Sequence, residues 1–259
     1  MTFTLRSPFA FALVLAVVSA CVPNLRADSS AGAASSAGAT PDNIDEASQA
    51  LIATADFNRD GMADFARLLQ LNGDHSGPSV LQVSLGRRDG SFAGAVNQTL
   101  SLPKPRSIAT GDFNDDGNPD LLIGDADGAL IELLGDGRGN LRAAGEIVHL
   151  GSAVSLTVGD FNRDGIPDVA VSDFKANAVT ILLGSGGGSF RPGWSFPLPQ
   201  RGTTYYLAAA DFNNDQIPDL VITSGNDGTY VVMLGNGNGT FTYAPNLSNI
   251  RDPYSYCPT

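Results

Sequence analysis

The 259-residue chain is short of the residues on which much enzyme chemistry and most nucleic-acid recognition rest. It has two cysteines, Cys21 and Cys257, and two histidines, His75 and His149, none near another. A zinc cluster of Cys and His ligands is therefore not expected. No GxSxG, CxxC or HExxH run occurs, so the common signatures of nucleophilic, redox and zinc catalysis are missing. Positive charge is scarce: 15 Lys and Arg stand against 27 Asp and Glu, a formal net charge of -12. That balance argues against nucleic acid or an anionic membrane surface as partner, because both need a basic footprint, and leaves cations as natural partners. A sustained helical period is also lacking. What is abundant is glycine (30) and proline (15), which points to many short strands joined by tight turns.

The first segment is set apart from the fold. Residues 1–21, "MTFTLRSPFAFALVLAVVSAC", carry one cation and an apolar run from Phe9 to Val18. That run is shorter than the roughly twenty residues a membrane span needs, so it reads as an export signal. Val18-Ser19-Ala20-Cys21 resembles the lipobox of bacterial lipoproteins, which implies lipidation of Cys21. With Val22 after the cysteine, the resemblance implies an outer-membrane or cell-surface location; ordinary cleavage would leave a periplasmic or secreted chain. Residues 22–49 are rich in Ala, Ser and Gly and read as a tether spanning roughly 30 Å. Cys257 is unpaired if Cys21 is lipidated, and residues 249–259 form a tail.

Four copies of one unit follow: "ADFNRDGMADFARLLQ", "GDFNDDGNPDLLIGDA", "GDFNRDGIPDVAVSDF" and "ADFNNDQIPDLVITSG". Their first aspartates are Asp56, Asp112, Asp160 and Asp211, and each copy continues to a glycine-rich hairpin signature such as "LLGSGGGSF". Units at about 50–103, 104–151, 152–200 and 201–248 result. In the third copy the pattern predicts strands at Ser155–Val158, Asp168–Ser172, Ala178–Leu183 and Phe190–Leu198. The fold class expected is all-β: four-stranded antiparallel blades, stacked face to face as a β-propeller or an open propeller arc. The pair of signatures resembles the FG-GAP/VCBS repeat family, known from the calcium-loop propeller of integrin alpha chains and from bacterial surface proteins. That family commonly has seven blades, and four are countable here. A closed four-blade ring, an open arc and an arc completed by another chain, including a homo-oligomer, all fit the count.

Oxygen donors recur at positions 1, 3, 5 and 9 of each loop: Asp56, Asn58, Asp60, Asp64; Asp112, Asn114, Asp116, Asp120; Asp160, Asn162, Asp164, Asp168; and Asp211, Asn213, Asp215, Asp219. With a backbone carbonyl and water they make six or seven hard ligands, which suits Ca²⁺ better than Mg²⁺. Turn formation alone needs one or two such residues, not four at fixed spacing in four copies. The loops are not EF-hands, since Arg67, Ile123, Val171 and Ile222 stand where a bidentate Glu belongs. Gln216 replaces the glycine of position 6 in the fourth loop, and Ala63 the proline of position 8 in the first, so the second and third loops are the safest sites. Runs such as "GNGNGT" precede a strand rather than a helix and read as hairpins, not phosphate cradles. Trp194, Tyr205 and Tyr206 are expected to pack in the core or rim rather than line a sugar surface. The sequence thus predicts a lipid-anchored, calcium-binding propeller that is not an enzyme and binds a protein or carbohydrate. The rival expectations are a polysaccharide-active enzyme with its site in the propeller channel, and a subunit of a larger propeller.

Overall fold

The computed structural model describes residues 51–70, 78–100, 102, 104–198, 205–225 and 228–245. The export signal, Cys21, the tether, His75, Cys257 and the tail lie outside the described residues. Among the described residues sixteen strands follow one another with no helix longer than a turn. The first sheet holds β1 (Leu51–Ala55), β2 (Asp64–Gln70), β3 (Ser79–Ser84) and β4 (Val96–Leu100); the second holds β5 (Pro105–Gly111), β6 (Asp120–Asp125), β7 (Ala129–Gly135) and β8 (Leu141–His149). The third holds β9 (Ala153–Gly159), β10 (Asp168–Asp173), β11 (Ala178–Gly184) and β12 (Phe190–Pro197), and the fourth β13 (Tyr205–Ala210), β14 (Asp219–Ser224), β15 (Tyr230–Gly235) and β16 (Phe241–Tyr243). Every sheet is an antiparallel meander in chain order. The fold is therefore the expected all-β array of four four-stranded blades.

Strand alternation explains how the sheets stack. Leu121 and Ile123 of β6 point back into a core shared with Ala53, Ala66, Leu68 and Leu81 of the first sheet. Leu122, between them, points forward into a core shared with Val169, Val171 and Leu156 of the third. The third and fourth sheets share Ala170, Ile181, Leu220, Ile222 and Met233. Residues of period two can serve both faces only when both faces are covered. Four sheets have three such cores, and among the described residues none joins the fourth sheet to the first. The array is an open arc with two end faces.

Each junction is fixed by the same small device. The hairpin glycine of one sheet donates its N–H to the phenylalanine carbonyl in the acidic loop of the sheet before it: Gly139 to Phe57 at 3.0 Å, Gly188 to Phe113 at 3.0 Å, and Gly239 to Phe161 at 2.9 Å. These glycines have φ of +87°, +74° and +80°, and a Cβ on Gly139 or Gly239 would lie 2.9 or 3.0 Å from Leu85 or Leu183. The close approach requires glycine on both counts. Phe57, Phe113 and Phe161 are correspondingly buried beneath the neighbouring hairpin.

Candidate functional site

The four acidic loops join the first strand of each sheet to its second. All four adopt one conformation. In the second loop the Asp116 N–H donates to both Asp112 Oδ1 (3.1 Å) and Asn114 Oδ1 (3.0 Å), while Gly117 N–H donates to Asp112 Oδ2 at 2.9 Å. Asn118 N–H reaches Asp116 Oδ1 at 2.8 Å, and the Asn114 amide donates to Asp116 Oδ2 at 3.0 Å. The same set recurs around Asp56, Asn58 and Asp60, around Asp160, Asn162 and Asp164, and around Asp211, Asn213 and Asp215. Positions 1, 3 and 5 are thus gathered around one amide nitrogen in every copy, at the exposed side of the loop.

The turn needs a left-handed backbone twice. Position 6 has φ of +84°, +83° and +85° at Gly61, Gly117 and Gly165, and +68° at Gln216. Position 4 is also left-handed, at Arg59, Asp115, Arg163 and Asn214, with φ of 58° to 63°. Glycine is the unstrained residue in this region, so the fourth loop carries strain that the others avoid.

Position 9, the fourth ligand position expected from the sequence, is set apart from the other three by its burial. Asp64, Asp120, Asp168 and Asp219 are at most 1% exposed and turn inward. Asp168 accepts Phe161 N–H (2.9 Å) and Asn162 N–H (3.2 Å) on Oδ2, and Gly184 N–H (2.8 Å) on Oδ1. Asp64, Asp120 and Asp219 likewise hold the first hairpin glycine, Gly86, Gly135 and Gly235, at 2.7 to 2.8 Å. One carboxylate therefore clamps the acidic loop to the hairpin two strands later. Burial pushes the Asp120 carboxyl up and the Asp168 carboxyl to about 6, with the backbone donors acting in the opposite sense. Among the described residues no three His, Cys, Asp or Glu side chains gather as a metal cluster.

The loop donors at positions 1, 3 and 5 fit a hard cation by type. They are two carboxylates and one amide oxygen per loop, with no nitrogen or sulfur ligand. In the second loop the four carboxylate oxygens of Asp112 and Asp116 each accept from an amide of the loop itself. In the second loop, bonds donated by the Asn118 N–H and by Asn114 hold the Asp116 carboxyl below the usual range, against a desolvation that works the other way. Asp116 is thus arranged to keep its charge.

Other polar residues escaped sequence reasoning. Asp125 accepts the N–H groups of Asp127, Gly128 and Ala129 in one turn, and Asp173 accepts those of Gly151, Ser152 and Ala176. Their signal was an aspartate ending a strand just before a turn. Glu132 had no signal beyond being acidic in an apolar run. It is 3% exposed in β7, its Oε1 has no hydrogen-bond partner, and its carboxyl is pushed up to about 7 by burial and then by the charge of Asp120. Trp194 stacks on Phe196 and Phe241 with centroids 4.7 and 6.1 Å apart, and Tyr205 is buried; both belong to packing, as expected. His149 pairs with Glu146 at the surface.

Comparison with known proteins follows the same lines. A family model described as FG-GAP-like repeat matches residues 56–123, 112–171 and 167–222. No curated protein matches. Among solved structures, the periplasmic gluconolactonase PpgL of Pseudomonas aeruginosa is similar with a TM-score of 0.52 at 16% identity, over 74% of this chain and 55% of that one. A fructofuranosidase of Schwanniomyces occidentalis, complexed with fructose, gives 0.48 at 11% identity, over 70% of this chain and 43% of that one. The chain spans about half the length of the solved structures it matches. One expectation is corrected here: the reading that the chain is not an enzyme is overturned, because a structure named as a gluconolactonase has a similar fold. A missing short motif does not exclude catalysis on a scaffold that draws its groups from several sheets.

Proposed function

Starting from a chain that belongs to the FG-GAP-like repeat family, we propose that its four acidic loops hold Ca²⁺ as staples of an exported scaffold that binds a protein or carbohydrate. The observation that carries this reading is the fourfold loop geometry, in which positions 1, 3 and 5 present hard oxygens to solvent around one shared amide in every copy. Asp56, Asn58, Asp60, Asp112, Asn114, Asp116, Asp160, Asn162, Asp164, Asp211, Asn213 and Asp215 would hold the ions. Asp64, Asp120, Asp168 and Asp219 orient the loops through the backbone. A bound ion screens charges that otherwise repel across a few ångströms, and it stiffens the link between the inner two strands. Extracellular calcium modules bind at roughly 0.1 to 1 mM, so the staples would be loaded outside the cell. Lipidation at Cys21 and display at the outer membrane or cell surface complete the reading, and mass spectrometry of the membrane-extracted protein tests them.

The calcium reading is tested by thermal unfolding in millimolar Ca²⁺ and in chelator, for the parent chain and for Asp112→Ala combined with Asp160→Ala. Calcium should raise the parent midpoint by mass action and raise that of the double variant less. An unchanged parent midpoint defeats the reading.

A second reading, catalysis on a sugar-derived substrate, is supported by the likeness to a structure named as a gluconolactonase. Turnover of aldonolactones or polysaccharide that survives loss of the loop aspartates would favour it over a binding role.

A further inference from the structure

The two end faces of the arc are the two unmatched halves of its internal junction, and we propose that a second copy of this chain docks there head to tail. Within the chain, the forward side of each junction offers a loop phenylalanine and its carbonyl, and the backward side offers a hairpin with its glycine N–H and an apolar residue two positions on. At the second junction Phe113 meets Phe190 with ring centroids 5.7 Å apart, and at the third Phe161 meets Phe241 at 5.4 Å. At the first, Phe57 is covered by the hairpin that ends in Leu141.

The fourth sheet ends in the forward half. Phe212, the counterpart of Phe113 and Phe161, is 47% exposed where those two are 1% exposed. No described hairpin donates to its carbonyl. The first sheet begins with the backward half. Phe92, the counterpart of Phe190 and Phe241, is 50% exposed and is steadied edge-on by Phe65 at 4.8 Å. Its hairpin glycine, Gly90, turns its N–H to the Arg87 carbonyl at 3.0 Å, where Gly139, Gly188 and Gly239 reach a neighbouring sheet. Ile52 is 47% exposed on the same face, while its counterparts Ile108, Leu156 and Leu207 all pack in junction cores. Both halves of an aromatic pair seen twice within the chain are therefore present, one at each end.

The fit is of one end to the other, not of either end to itself. Such a heterologous contact closes into a ring or runs on as a filament. Two four-sheet arcs joined at both ends make eight blades, the upper limit of common propellers, so the closed dimer is the assembly expected. Arg67 supports this pairing. It interrupts the apolar backward face of the first sheet at the position held by Ile123, Val171 and Ile222 elsewhere, and it is bonded to Gln82. Across the junction it would meet the forward face of the fourth sheet, where Tyr206 supplies an aromatic ring suited to a guanidinium.

The inference does not depend on the calcium reading and is tested with calcium in excess throughout. The full chain is examined by light scattering after size exclusion, alongside Phe212→Asp and Phe92→Asp, two half-exposed positions whose change leaves the internal cores intact. The parent should run at twice the 26.8 kDa chain mass. Either variant alone should run as a monomer with an unchanged circular dichroism spectrum. Mixing the two variants should restore a dimer population, because Phe212→Asp keeps a sound first sheet and Phe92→Asp a sound fourth. A monomeric parent, as a tail folded over the end faces would give, overturns the proposal. So does a dimer that persists in either single variant, which would mean a self-complementary contact elsewhere.

Discussion

Replacing Glu132 with leucine should stabilise the protein, and the gain should depend on pH. Glu132 lies in the core between the second and third sheets, opposite Gly188, whose added Cβ would come within 2.8 Å of the carboxylate. Val83, Ile181 and Val232 hold the equivalent places in the other sheets, so the position is built for an apolar side chain. Burial pushes the carboxyl from its ordinary 4.5 to about 7. Between those values the folded chain holds a proton that the unfolded chain has released, so stability falls as pH rises through this window and levels off above it. At roughly 1.4 kcal/mol per unit, a shift of this size corresponds to about 3 kcal/mol at pH 8. Glu132→Leu should therefore exceed the parent by about 3 kcal/mol at pH 8 and by under about 1 kcal/mol at pH 4.5. The assay is equilibrium urea unfolding in chelator across that range. Asp168, also pushed up, titrates in both proteins and cancels in the difference, whereas the repulsion between Glu132 and Asp120 is lost in the leucine variant and belongs to its gain at high pH. A gap that stays constant with pH, or a leucine variant weaker than the parent at pH 8, would refute the reasoning.

Four further outcomes are expected. Asp168→Ala strips the acceptor from three backbone N–H groups in and around a buried clamp and should cost roughly 3 kcal/mol or more, read from the urea midpoint at pH 7. Gln216→Gly should raise stability by up to about 1 kcal/mol, because glycine relieves the left-handed backbone there while giving back part of the gain as chain entropy. Gly139→Ala, which forces both a φ of +87° and a contact of 2.9 Å with Leu85, should cost about 1 to 3 kcal/mol by the same measurement. The single tryptophan, Trp194, lies against the core of the third and fourth sheets, so its emission should shift to the red when that junction opens and stay still when only the first sheet frays.

The strand plan was legible because the repeat supplies it four times. The pattern placed the strands of the third sheet at Ser155–Val158, Asp168–Ser172, Ala178–Leu183 and Phe190–Leu198, and each lies within two residues of an observed strand bound. Alternation alone could not say that Leu121 and Leu122 serve different neighbours, yet an apolar residue on both sides of β6 did imply two covered faces. The replacement of glycine by Gln216 was visible in the sequence, and it coincides with the left-handed backbone found there. What stayed hidden depends on contacts between units. Nothing in Asp168 itself distinguishes a loop ligand from a clamp on Gly184, sixteen residues away. The left-handed Arg59 and Arg163 gave no sign, since position 4 holds no glycine in any of the four copies. Glu132 looked like one more acid because its environment comes from the next sheet's hairpin.

The amide-to-carbonyl link at each junction has a consequence for how such a chain lengthens. Because donor and acceptor are both written into every unit, duplicating one unit of 48 to 56 residues between two others creates a matching joint with no new invention, and leaves both termini of the array as they were. Deleting an interior unit does the same in reverse. The number of blades is thereby free to drift, while the grammar that joins any two of them stays fixed.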